Sequence, residues 1–444
     1  MLRFGTDGVR GVALRDITTL AVQLYARAAA RELHCSLFVV GFDTRESSMQ
    51  LARAVETGFI AEGVEVLWAG MCPTPAVAFF AEHCQAGAAV ITASHNPYTD
   101  NGLKFFGEGG IKLTDEEELR IQNTYELLMQ SETAEIANTG PGEVVLDLDA
   151  YEAHICASIT QVTTDVKIVI DCANGAMSEV APRVFKKLGV APSFIHCSPD
   201  GRNINEACGA AHPESLMKEV LHSNADIGIA FDGDGDRVIA VDGSGKVING
   251  DELIALFALQ LKARNALVNN TVAVTVMTNM GFHIAMKDAG INVITTSVGD
   301  RSILLALQEA KACLGGEQSG HIIFTQHATT GDGLLAAVQL LSVLRSRQQS
   351  LQAASQEVMT ALPQVLINVP IQGQVTPQDL LIEHRAAISE VEQLLGDQGR
   401  LLVRPSGTEP LVRVMVEAQT SEEAQKYAER IAHVLSHSAS GQDR

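Results

Sequence analysis

The same order of elements recurs three times along the chain. Each copy contains a strand-like apolar run, a helical stretch, a second apolar run, a second helical stretch and a third apolar run. The third apolar run ends in a polar loop. The third runs are residues 88–92, 226–231 and 312–316. Repetition is common in α/β chains, but here the distinctive loop occupies the same place in each copy. We therefore expect three related α/β domains with mostly parallel, mixed sheets.

The end of the chain has a different pattern, which predicts a smaller C-terminal α+β domain. Strand-like runs lie at 365–369, 400–403 and 411–417, and helical patterns lie at 380–395 and after Thr420, which forms a capping motif with Glu423. A linker-like stretch at 131–142 and a hairpin turn at 242–247 suggest further boundaries. The predicted domains are residues 1–140, 141–245, 246–360 and 361–444.

The three polar loops are expected to share one site. Ligands of open α/β sheets bind beyond the carboxyl ends of the strands, where such loops lie. If the three α/β domains face one another, their loops line a central cleft. Residues from distant parts of the sequence would then act on one ligand.

The second loop carries three carboxylates. Asp232, Asp234 and Asp236 alternate with glycines directly after an apolar run, so in an extended backbone the three acids point to one side. Anions this close raise one another's pKa values, and a hard dication relieves that repulsion. Short Asp-Gly runs are often only acidic surface turns, but the preceding buried strand favours metal binding.

Magnesium fits this loop better than calcium does. The acids match the first positions of a calcium-binding EF-hand loop, but Arg237 replaces its glycine and Gly243 replaces its bidentate Glu. No helical pattern precedes the loop. The octahedral shell of magnesium is commonly completed by phosphate oxygens and water, so the pattern also predicts a phosphate nearby.

The first loop carries a candidate nucleophile, Ser94, followed by His95, Asn96 and Pro97. In isolation, a hydroxyl in such a turn is more often a cap than a nucleophile. If the first two loops share a cleft, however, a phosphate on Ser94 would supply the missing magnesium ligand. Arg10, Lys104 and Arg237 are then available to neutralise the charge of a transferred phosphoryl group. Candidates for the proton relay are Lys104, His95 and His321. A purely structural histidine is an equally good interpretation of His321.

A possible phosphate cradle lies between the last two predicted strands. Arg404, Ser406, Gly407 and Thr408 supply a guanidinium, two hydroxyls and backbone amides, and Arg413 lies just beyond them. A plain Ser-Gly turn remains the alternative for this loop taken alone.

Charge and cysteine usage limit the possible partners. The formal net charge of −21 argues against nucleic acid or an anionic membrane, so anionic ligands must meet local cationic clusters. The eight cysteines show neither a Cys-x-x-Cys pair nor zinc-ligand spacing, and we interpret them as reduced and structural. The chain begins without a signal-peptide pattern and lacks a long apolar segment, so we expect a soluble, cytoplasmic protein.

Four segments together resemble the signature loops of the α-D-phosphohexomutases, in the order typical of that family. They are residues 92–97, 232–237, 316–321 and 404–410, and shorter matching runs lie at 4–10, 171–176, 278–281, 298–301 and 329–333. The resemblance spans nearly the full chain.

The resemblance implies an isomerase that interconverts glucosamine 6-phosphate and glucosamine 1-phosphate through a bisphosphorylated sugar. Ser94 would be a phosphoserine whose phosphate shares one magnesium ion with the three aspartates. Glu317 and Ser319 would bind sugar hydroxyls, and the loop at Arg404, Ser406, Gly407 and Thr408 would hold the phosphate that is not reacting. A sugar 1,6-bisphosphate would serve as activator, and a homodimer is possible.

Two alternatives remain open from the sequence. A glucose or mannose phosphate could be the substrate, since those enzymes share the phosphoryl-transfer residues. Gln318 favours the amino sugar, because the glucose and mannose enzymes more often have Met there, whereas Ser302 and Phe42 depart from the common family pattern. The second alternative is a phosphosugar-binding protein without catalysis, in which Ser94 stays unmodified.

Overall fold

The computed structural model describes residues 2–5, 7–131, 146–162, 164–371, 376–405 and 411–439. Contacts divide the chain into two compact units. The first comprises Met1–Met277 and Ile291–Val358, and the second comprises Thr278–Gly290 and Met359–Arg444.

The first sheet has seven strands flanked by four helices. In chain order its elements are β1 (Phe4–Gly5), β2 (Gly8–Val12), α1 (Thr19–Leu33), β3 (Leu37–Phe42), α2 (Ser48–Ala61), β4 (Glu65–Met71), α3 (Thr74–Cys84), β5 (Gly87–Ile91), β6 (Asp100–Gly107), β7 (Ile111–Lys112) and α4 (Asp115–Ser131). The strand order is β1-β2-β6-β5-β3-β4, with β7 beside β6. The strands β3, β4 and β5 are parallel, and β6 returns antiparallel to β5.

The second sheet has five strands in the order β12-β11-β10-β8-β9. Its elements are α5 (Asp149–Ala157), β8 (Ile168–Asp171), α6 (Met177–Lys187), β9 (Ser193–Ile195), α7 (Glu214–Ser223), β10 (Ile227–Phe231), β11 (Val238–Asp242) and β12 (Val247–Ile248). Every residue of β8, β10 and β11 is buried, which matches their continuous apolar sequence.

The third sheet has four strands in the order β14-β13-β15-β16. Its strands and the helices around them are α8 (Gly250–Ala263), β13 (Thr271–Thr275), α9 (Met280–Asp288), β14 (Asn292–Thr296), α10 (Asp300–Ala310), β15 (Leu314–Gly316), β16 (Ile322–Phe324), α11 (Gly333–Arg347) and α12 (Leu351–Val358). The helix α9 belongs by its contacts to the second compact unit.

The three sheets share one topology, which confirms the predicted α/β repeat. In each, the second parallel strand lies outside the first, the third lies on the other side, and an antiparallel strand follows: β4-β3-β5-β6, β9-β8-β10-β11 and β14-β13-β15-β16. The sequence pattern did not predict these returning strands β6, β11 and β16. Because each polar loop joins two hydrogen-bonded strands, both of its ends are fixed.

The second unit contains a three-stranded antiparallel sheet. Its C-terminal elements are β17 (Gln364–Pro370), α13 (Pro377–Glu383), α14 (Arg385–Leu395), β18 (Arg400–Pro405), β19 (Leu411–Glu417) and α15 (Ser421–Ala439), with strand order β17-β19-β18. This confirms the predicted α+β module. The continuous helix predicted at 380–395 is wrong in one respect, because the helix is interrupted at His384, whose φ of −100° and ψ of 13° are not helical.

The capping motif predicted at Thr420 and Glu423 is present, since the Glu423 amide donates to Thr420 Oγ1 at 3.2 Å. Thr114 and Glu117 form a capping box at the start of α4, through reciprocal bonds of 2.7 and 3.2 Å. The buried face of α15 consists of Ala424, Ala428, Ile431 and Leu435. Among the helices of the described residues, none has both the length and the apolarity required to cross a membrane.

Candidate active site

The loop after β5 presents the Ser94 hydroxyl to the loop after β10. The backbone amide of Ser94 donates to Thr92 Oγ1 at 2.9 Å, and its hydroxyl donates to Asp232 Oδ2 at 2.7 Å. Ser94 is 1% exposed and adopts a φ of +50°, a region that non-glycine residues seldom occupy. The surrounding contacts therefore hold this serine in a strained backbone conformation that directs its side chain toward the acidic loop.

Arg45 holds the backbone of the Ser94 loop in place, a role that was not predicted from the sequence. Its guanidinium forms a fully buried ion pair with Asp43 at 2.8 Å. It also donates to the carbonyl oxygens of Ser94 and Asn96, both at 2.9 Å. Asn205 adds a second donor to the Ser94 carbonyl, at 2.8 Å. The signal that could have revealed Arg45 is its position directly after β3, at the same sheet edge as the Ser94 loop.

Arg45→Met is expected to destabilise the protein by about 3–5 kcal/mol, because it leaves the Asp43 carboxylate buried without its cation. The Ser94 loop loses the Arg45 contacts to the carbonyls of Ser94, Asn96 and Pro97 in the same variant, so turnover should fall as well. The urea unfolding midpoint and the turnover rate measure the two effects. Arg15→Met is the control, since Arg15 has a 71% exposed side chain in a surface ion pair that contributes little to stability. Equal midpoints for the two variants would contradict this assignment.

The acidic loop after β10 is buried. Asp232, Asp234 and Asp236 are 1%, 1% and 5% exposed, and one ligand atom from each lies within 4.8 Å of the others. Burial, followed by the charges of Asp236 and Asp234, raises the pKa of Asp232 well above its ordinary value. Within the described residues, Asp234 Oδ1 and Asp236 Oδ1 are buried without a hydrogen-bond partner. Three converging carboxylates with unused oxygens fit a hard dication.

The residues of the first sheet supply cations to this loop. Lys104, on β6, contacts Asp234 Oδ2 at 2.9 Å and Asp236 Oδ2 at 3.3 Å. Thr74 donates its hydroxyl to Asp234 Oδ2 at 2.7 Å. Burial opposes the charge on Lys104, but Asp234 and then Asp7 raise its pKa well above the ordinary value. Lys104 is therefore a fixed cation.

Three residues outside the predicted set extend this network. Asp7 accepts from Arg10 at 2.6 Å and lies 2.8 Å from Lys104. Lys112 bridges Asp7 and Asp300 with two contacts of 2.6 Å. Asp7 and Lys112 lie far apart in the sequence, and the pairing of β2 with β6 and of β6 with β7 brings them together. Asp300 reaches the same network from the start of α10. The short polar runs around Asp7 and Asp300 were the available signal.

The two candidate histidines have opposite electrostatic environments. His95 Nδ1 lies 3.3 Å from Ser94 Oγ and 3.2 Å from Arg237 Nη1. Burial, followed by the charges of Arg237 and Arg10, lowers the pKa of His95 to about 4. His321 is also buried, but its hydrogen bond to Asp236 and the charges of Asp236 and Asp300 outweigh burial and raise its pKa. His95 is therefore neutral near pH 7, whereas His321 is the more basic imidazole.

The loop after β15 borders a small cavity. Glu317 Oε1 accepts from the Gly299 amide at 3.1 Å, and Ser319 Oγ lies 3.5 Å from Glu317 Oε2. The cavity has a volume of about 120 Å³ and is lined in part by Glu317, His321, Asp300 and Arg237. Arg237 and His321 also form an isolated backbone bridge. The structure thus brings the loops of all three sheets together.

Arg404 and Arg413 lie in the second unit. They are direct partners in the antiparallel pairing of β18 with β19. Like charges placed directly opposite one another in a sheet are unfavourable, and a bound anion relieves their repulsion. The other predicted members of this cradle, Ser406, Gly407 and Thr408, lie outside the described residues.

The described residues contain a second cluster of potential metal ligands, Asp171, His196 and Cys208. Its carboxylate is already engaged, since Asp171 accepts from the backbone amides of Ala173 at 2.8 Å and Gly209 at 3.0 Å. His196 Nδ1 lies 3.0 Å from the same carboxylate. These contacts indicate a structural ion pair that holds the loop after β8.

The fold and the site define a class of protein. Family models for the phosphoglucomutase/phosphomannomutase α/β/α domains I, II and III match residues 1–132, 149–245 and 249–362, and the model for the C-terminal domain of that family matches residues 366–434. The chain belongs to the phosphoglucomutase/phosphomannomutase family, the α-D-phosphohexomutases. The family resemblance stated from the sequence is therefore confirmed.

Individual relatives share nearly the whole length of the chain. Phosphoglucosamine mutase of Pelotomaculum thermopropionicum is 45% identical over 445 residues, which cover 97% of this chain and 98% of that protein. Phosphoglucosamine mutase of Salinispora arenicola is 45% identical over 439 residues, with 97% of each chain covered. A solved structure of a phosphoglucomutase/phosphomannomutase family protein from Burkholderia thailandensis has a TM-score of 0.82 at 26% identity, covering 99% of this chain and 98% of that one.

Proposed function

We propose that the protein is a phosphoglucosamine mutase, which interconverts glucosamine 6-phosphate and glucosamine 1-phosphate through a phosphoserine and a glucosamine 1,6-bisphosphate. The observation that carries this proposal is the 2.7 Å contact between Ser94 Oγ and Asp232 Oδ2, which joins a nucleophile to an acidic triad. The 45% identity to relatives of that name supports the choice of sugar.

Magnesium is the metal that we propose for the triad. Asp232, Asp234 and Asp236 would hold it together with an oxygen of the Ser94 phosphate, and the two unpartnered carboxylate oxygens support this assignment. When bound, magnesium neutralises negative charge on the transferring phosphoryl group.

The surrounding cations have a second role in the transfer. Lys104, Arg10 and Arg237 lie around the Ser94 loop and the acidic triad, where they would stabilise charge that develops on the phosphoryl oxygens. Because the pKa of Lys104 is raised, it stays charged and is suited to binding rather than to accepting a proton.

His321 is our candidate for the proton relay on the sugar side. It lines the same cavity as Glu317, which we propose to bind sugar hydroxyls together with Ser319. Its pKa is raised by Asp236, whose Oδ2 lies 3.7 Å from Nδ1. Nε2 accepts from the Gly331 amide at 3.1 Å, so the ring would take up the proton of the accepting hydroxyl at Nε2 by releasing that hydrogen bond. His95, kept neutral, would accept a hydrogen bond from Arg237 and help to orient the Ser94 loop.

The second unit would bind the phosphate that is not reacting. Arg404 and Arg413 supply paired guanidinium groups for it, and Ser406, Gly407 and Thr408 complete the proposed cradle. A mutase of this kind carries out two transfers with the bisphosphate reversed between them, so it requires one reactive site and one holding site.

Arg404→Ala is expected to raise KM by roughly 10- to 100-fold, the loss of about 1.5–3 kcal/mol from a charge-assisted hydrogen bond. Its kcat should change little, because the contact persists from the ground state to the transition state. Steady-state kinetics separate the two constants. Arg385→Ala, at an exposed helix start, is the matched control. An unchanged KM with a collapsed kcat would instead place Arg404 at the reacting phosphate.

The proposed function is tested with three substrates. The purified protein is assayed with glucosamine 1-phosphate, glucose 1-phosphate and mannose 1-phosphate, each with magnesium and a catalytic amount of sugar 1,6-bisphosphate. We expect the highest kcat/KM with the glucosamine compound. A higher kcat/KM with the mannose or glucose compound would overturn the choice of sugar, and inactivity with all three would overturn the mutase.

A further inference from the structure

Asn205 connects the second sheet to the backbone of the Ser94 loop. It lies in the segment between β9 and α7, outside the acidic loop. Its side-chain Nδ2 donates to the carbonyl oxygens of Ser94 at 2.8 Å and Asn96 at 3.0 Å. Arg45 donates to the same two carbonyl oxygens, but it follows β3 and therefore belongs to the first sheet. Asn205 is thus the member of this pair that fixes the Ser94 loop relative to the second sheet.

The contacts of Asn205 can persist through the proposed reaction. The Ser94 hydroxyl also reaches the second sheet, through Asp232 at 2.7 Å, but that contact uses the oxygen proposed to carry the phosphoryl group. His95 reaches Arg237 through its side chain, at 3.2 Å. Asn205 instead binds backbone carbonyl oxygens, which take no part in the transfer. Its two hydrogen bonds are therefore available whether or not Ser94 is phosphorylated.

Gly233, the first glycine of the acidic loop, is packed directly against these contacts. A Cβ added to Gly233 would be 2.6 Å from the Ser94 carbonyl oxygen and 2.7 Å from Asn205 Nδ2. A Cβ added to Gly175 would be 2.3 Å from the Gly233 carbonyl oxygen. The Ser94 carbonyl, the Asn205 side chain and the backbone of the acidic loop therefore meet at one point, with no room for a further side chain between them.

Asn205 has two energetically unfavourable features. Its φ is +58°, a region that non-glycine residues seldom occupy, although asparagine tolerates it better than most. Its amide donates to the Ala173 carbonyl at 2.9 Å, which holds this conformation in place. Asn205 is 6% exposed, and within the described residues its buried Oδ1 has no hydrogen-bond partner. Such features are typical of functional sites, where the surrounding structure imposes them.

We propose that Asn205 is a positioning residue that sets the distance between the Ser94 nucleophile and the acidic loop. The proposal rests on the phosphoserine mechanism proposed above. Asn205 would hold Ser94 so that a phosphate on its Oγ lies within reach of a metal ion bound by the triad. Without the two hydrogen bonds from Asn205, the Ser94 loop would keep its contacts with Arg45 but would be free to move away from the second sheet.

Asn205→Gly tests this role, because glycine adopts the same φ without strain and the variant removes only the side chain. We expect kcat to fall by roughly 10- to 100-fold, the scale of a catalytic group misplaced by about 1 Å. The KM for glucosamine 1-phosphate should change little, since Asn205 is not proposed to touch the sugar. The magnesium concentration for half-maximal activity should rise, because the Ser94 phosphate is displaced from the triad.

Two further variants complete the kinetic test. Asn224→Gly is the matched control and should keep wild-type kinetics, because Asn224 also has a positive φ, of 52°, but is exposed at the end of α7. Asn205→Asp keeps the size of the side chain and tolerates the same φ, so it supplies the test if the glycine variant does not fold. It places carboxylate oxygens against two carbonyl oxygens, so its kcat should fall at least as far. Wild-type kcat in the folded Asn205 variants, or a raised sugar KM at unchanged kcat, would overturn the proposal.

Hydrogen exchange tests the positioning without reference to catalysis. The amides of Ser94 and Asn96 are both hydrogen-bonded within the loop, at 2.9 and 3.0 Å, so their exchange reports opening of the loop. In the full-length protein, peptides that cover residues 92–98 should exchange roughly 2- to 10-fold faster in Asn205→Gly than in the wild type, the scale of one neutral hydrogen bond. Peptides from α1 should exchange equally in both proteins.

The two measurements separate this proposal from the proposed function. Unchanged exchange at residues 92–98 would refute the positioning role, whatever substrate the enzyme uses. Faster exchange in a protein that turns over none of the three sugar phosphates would support the hold of Asn205 on the Ser94 loop and refute the mutase.

Discussion

Ser94→Ala is expected to lower kcat by about 10⁴-fold or more, because it removes the atom that we propose to carry the phosphoryl group between the two transfers. Among the residues that the structure describes, Ser94 Oγ is the hydroxyl that contacts Asp232, whereas the nearby Thr74 hydroxyl contacts Asp234. Substrate binding should change much less, since Glu317 and Arg404 belong to other loops. The measurement is steady-state kinetics with glucosamine 1-phosphate and bisphosphate.

A second measurement separates chemistry from folding. After incubation with sugar 1,6-bisphosphate, phosphopeptide mapping should find phosphate on Ser94 of the wild type and no phosphopeptide from this loop in Ser94→Ala. Ser223→Ala is the control, because Ser223 only donates to a helix carbonyl at 2.8 Å. Turnover by Ser94→Ala within tenfold of the wild type would rule out a phosphoserine mechanism and favour a different phosphate carrier.

The residues that the sequence could reveal are those that stand out locally. The acidic triad follows a buried strand, and Ser94 and Glu317 occupy the same position in the other two copies, so the topology places each loop at the carboxyl edge of its own sheet. A periodic pattern predicts strands well when they are continuously apolar, as β5 and β10 are. It misses β6 because Asp100, Asn101, Gly102 and Lys104 are polar or small. In the structure Asp100 is half-buried and the other three residues are buried.

The residues that the sequence could not reveal act through long-range charge contacts. Lys112 reaches Asp300 across 188 positions, and Arg45 reaches the Ser94 loop across 49. Lys112 does not differ in its local pattern from a surface cation, and Arg45 is distinguished only by its position three residues after the end of β3. The fold buries Arg45 and leaves the Lys112 side chain 8% exposed. The charges that surround His95 and His321 in the fold explain why their pKa values are shifted in opposite directions.

Removal of the metal is expected to abolish turnover, with a loss of at least about 10³-fold on chelation that added magnesium restores. Three carboxylates are buried together, and among the described residues Lys104, Arg237 and His321 offset their charge. Asp236→Asn removes one of these charges and should lose activity to a comparable extent, even in saturating magnesium. Asp149→Asn, at an exposed helix start, should behave like the wild type.

Thermal unfolding supplies a readout that does not depend on catalysis. A ligand that binds only the folded state stabilises it by about 2.7 kcal/mol at a hundredfold excess over its Kd, so magnesium should raise the Tm of the wild type. Burial raises the pKa of Asp236, but Lys104, His321 and Arg237 outweigh burial and hold that pKa below its ordinary value. Asp236→Asn loses this stabilised charge, which predicts a lower Tm without metal and a smaller response to magnesium. An equal magnesium response in both proteins would place the ion elsewhere. A higher Tm without metal would show that carboxylate repulsion, and not the ion pair with Lys104, dominates the energetics of this loop.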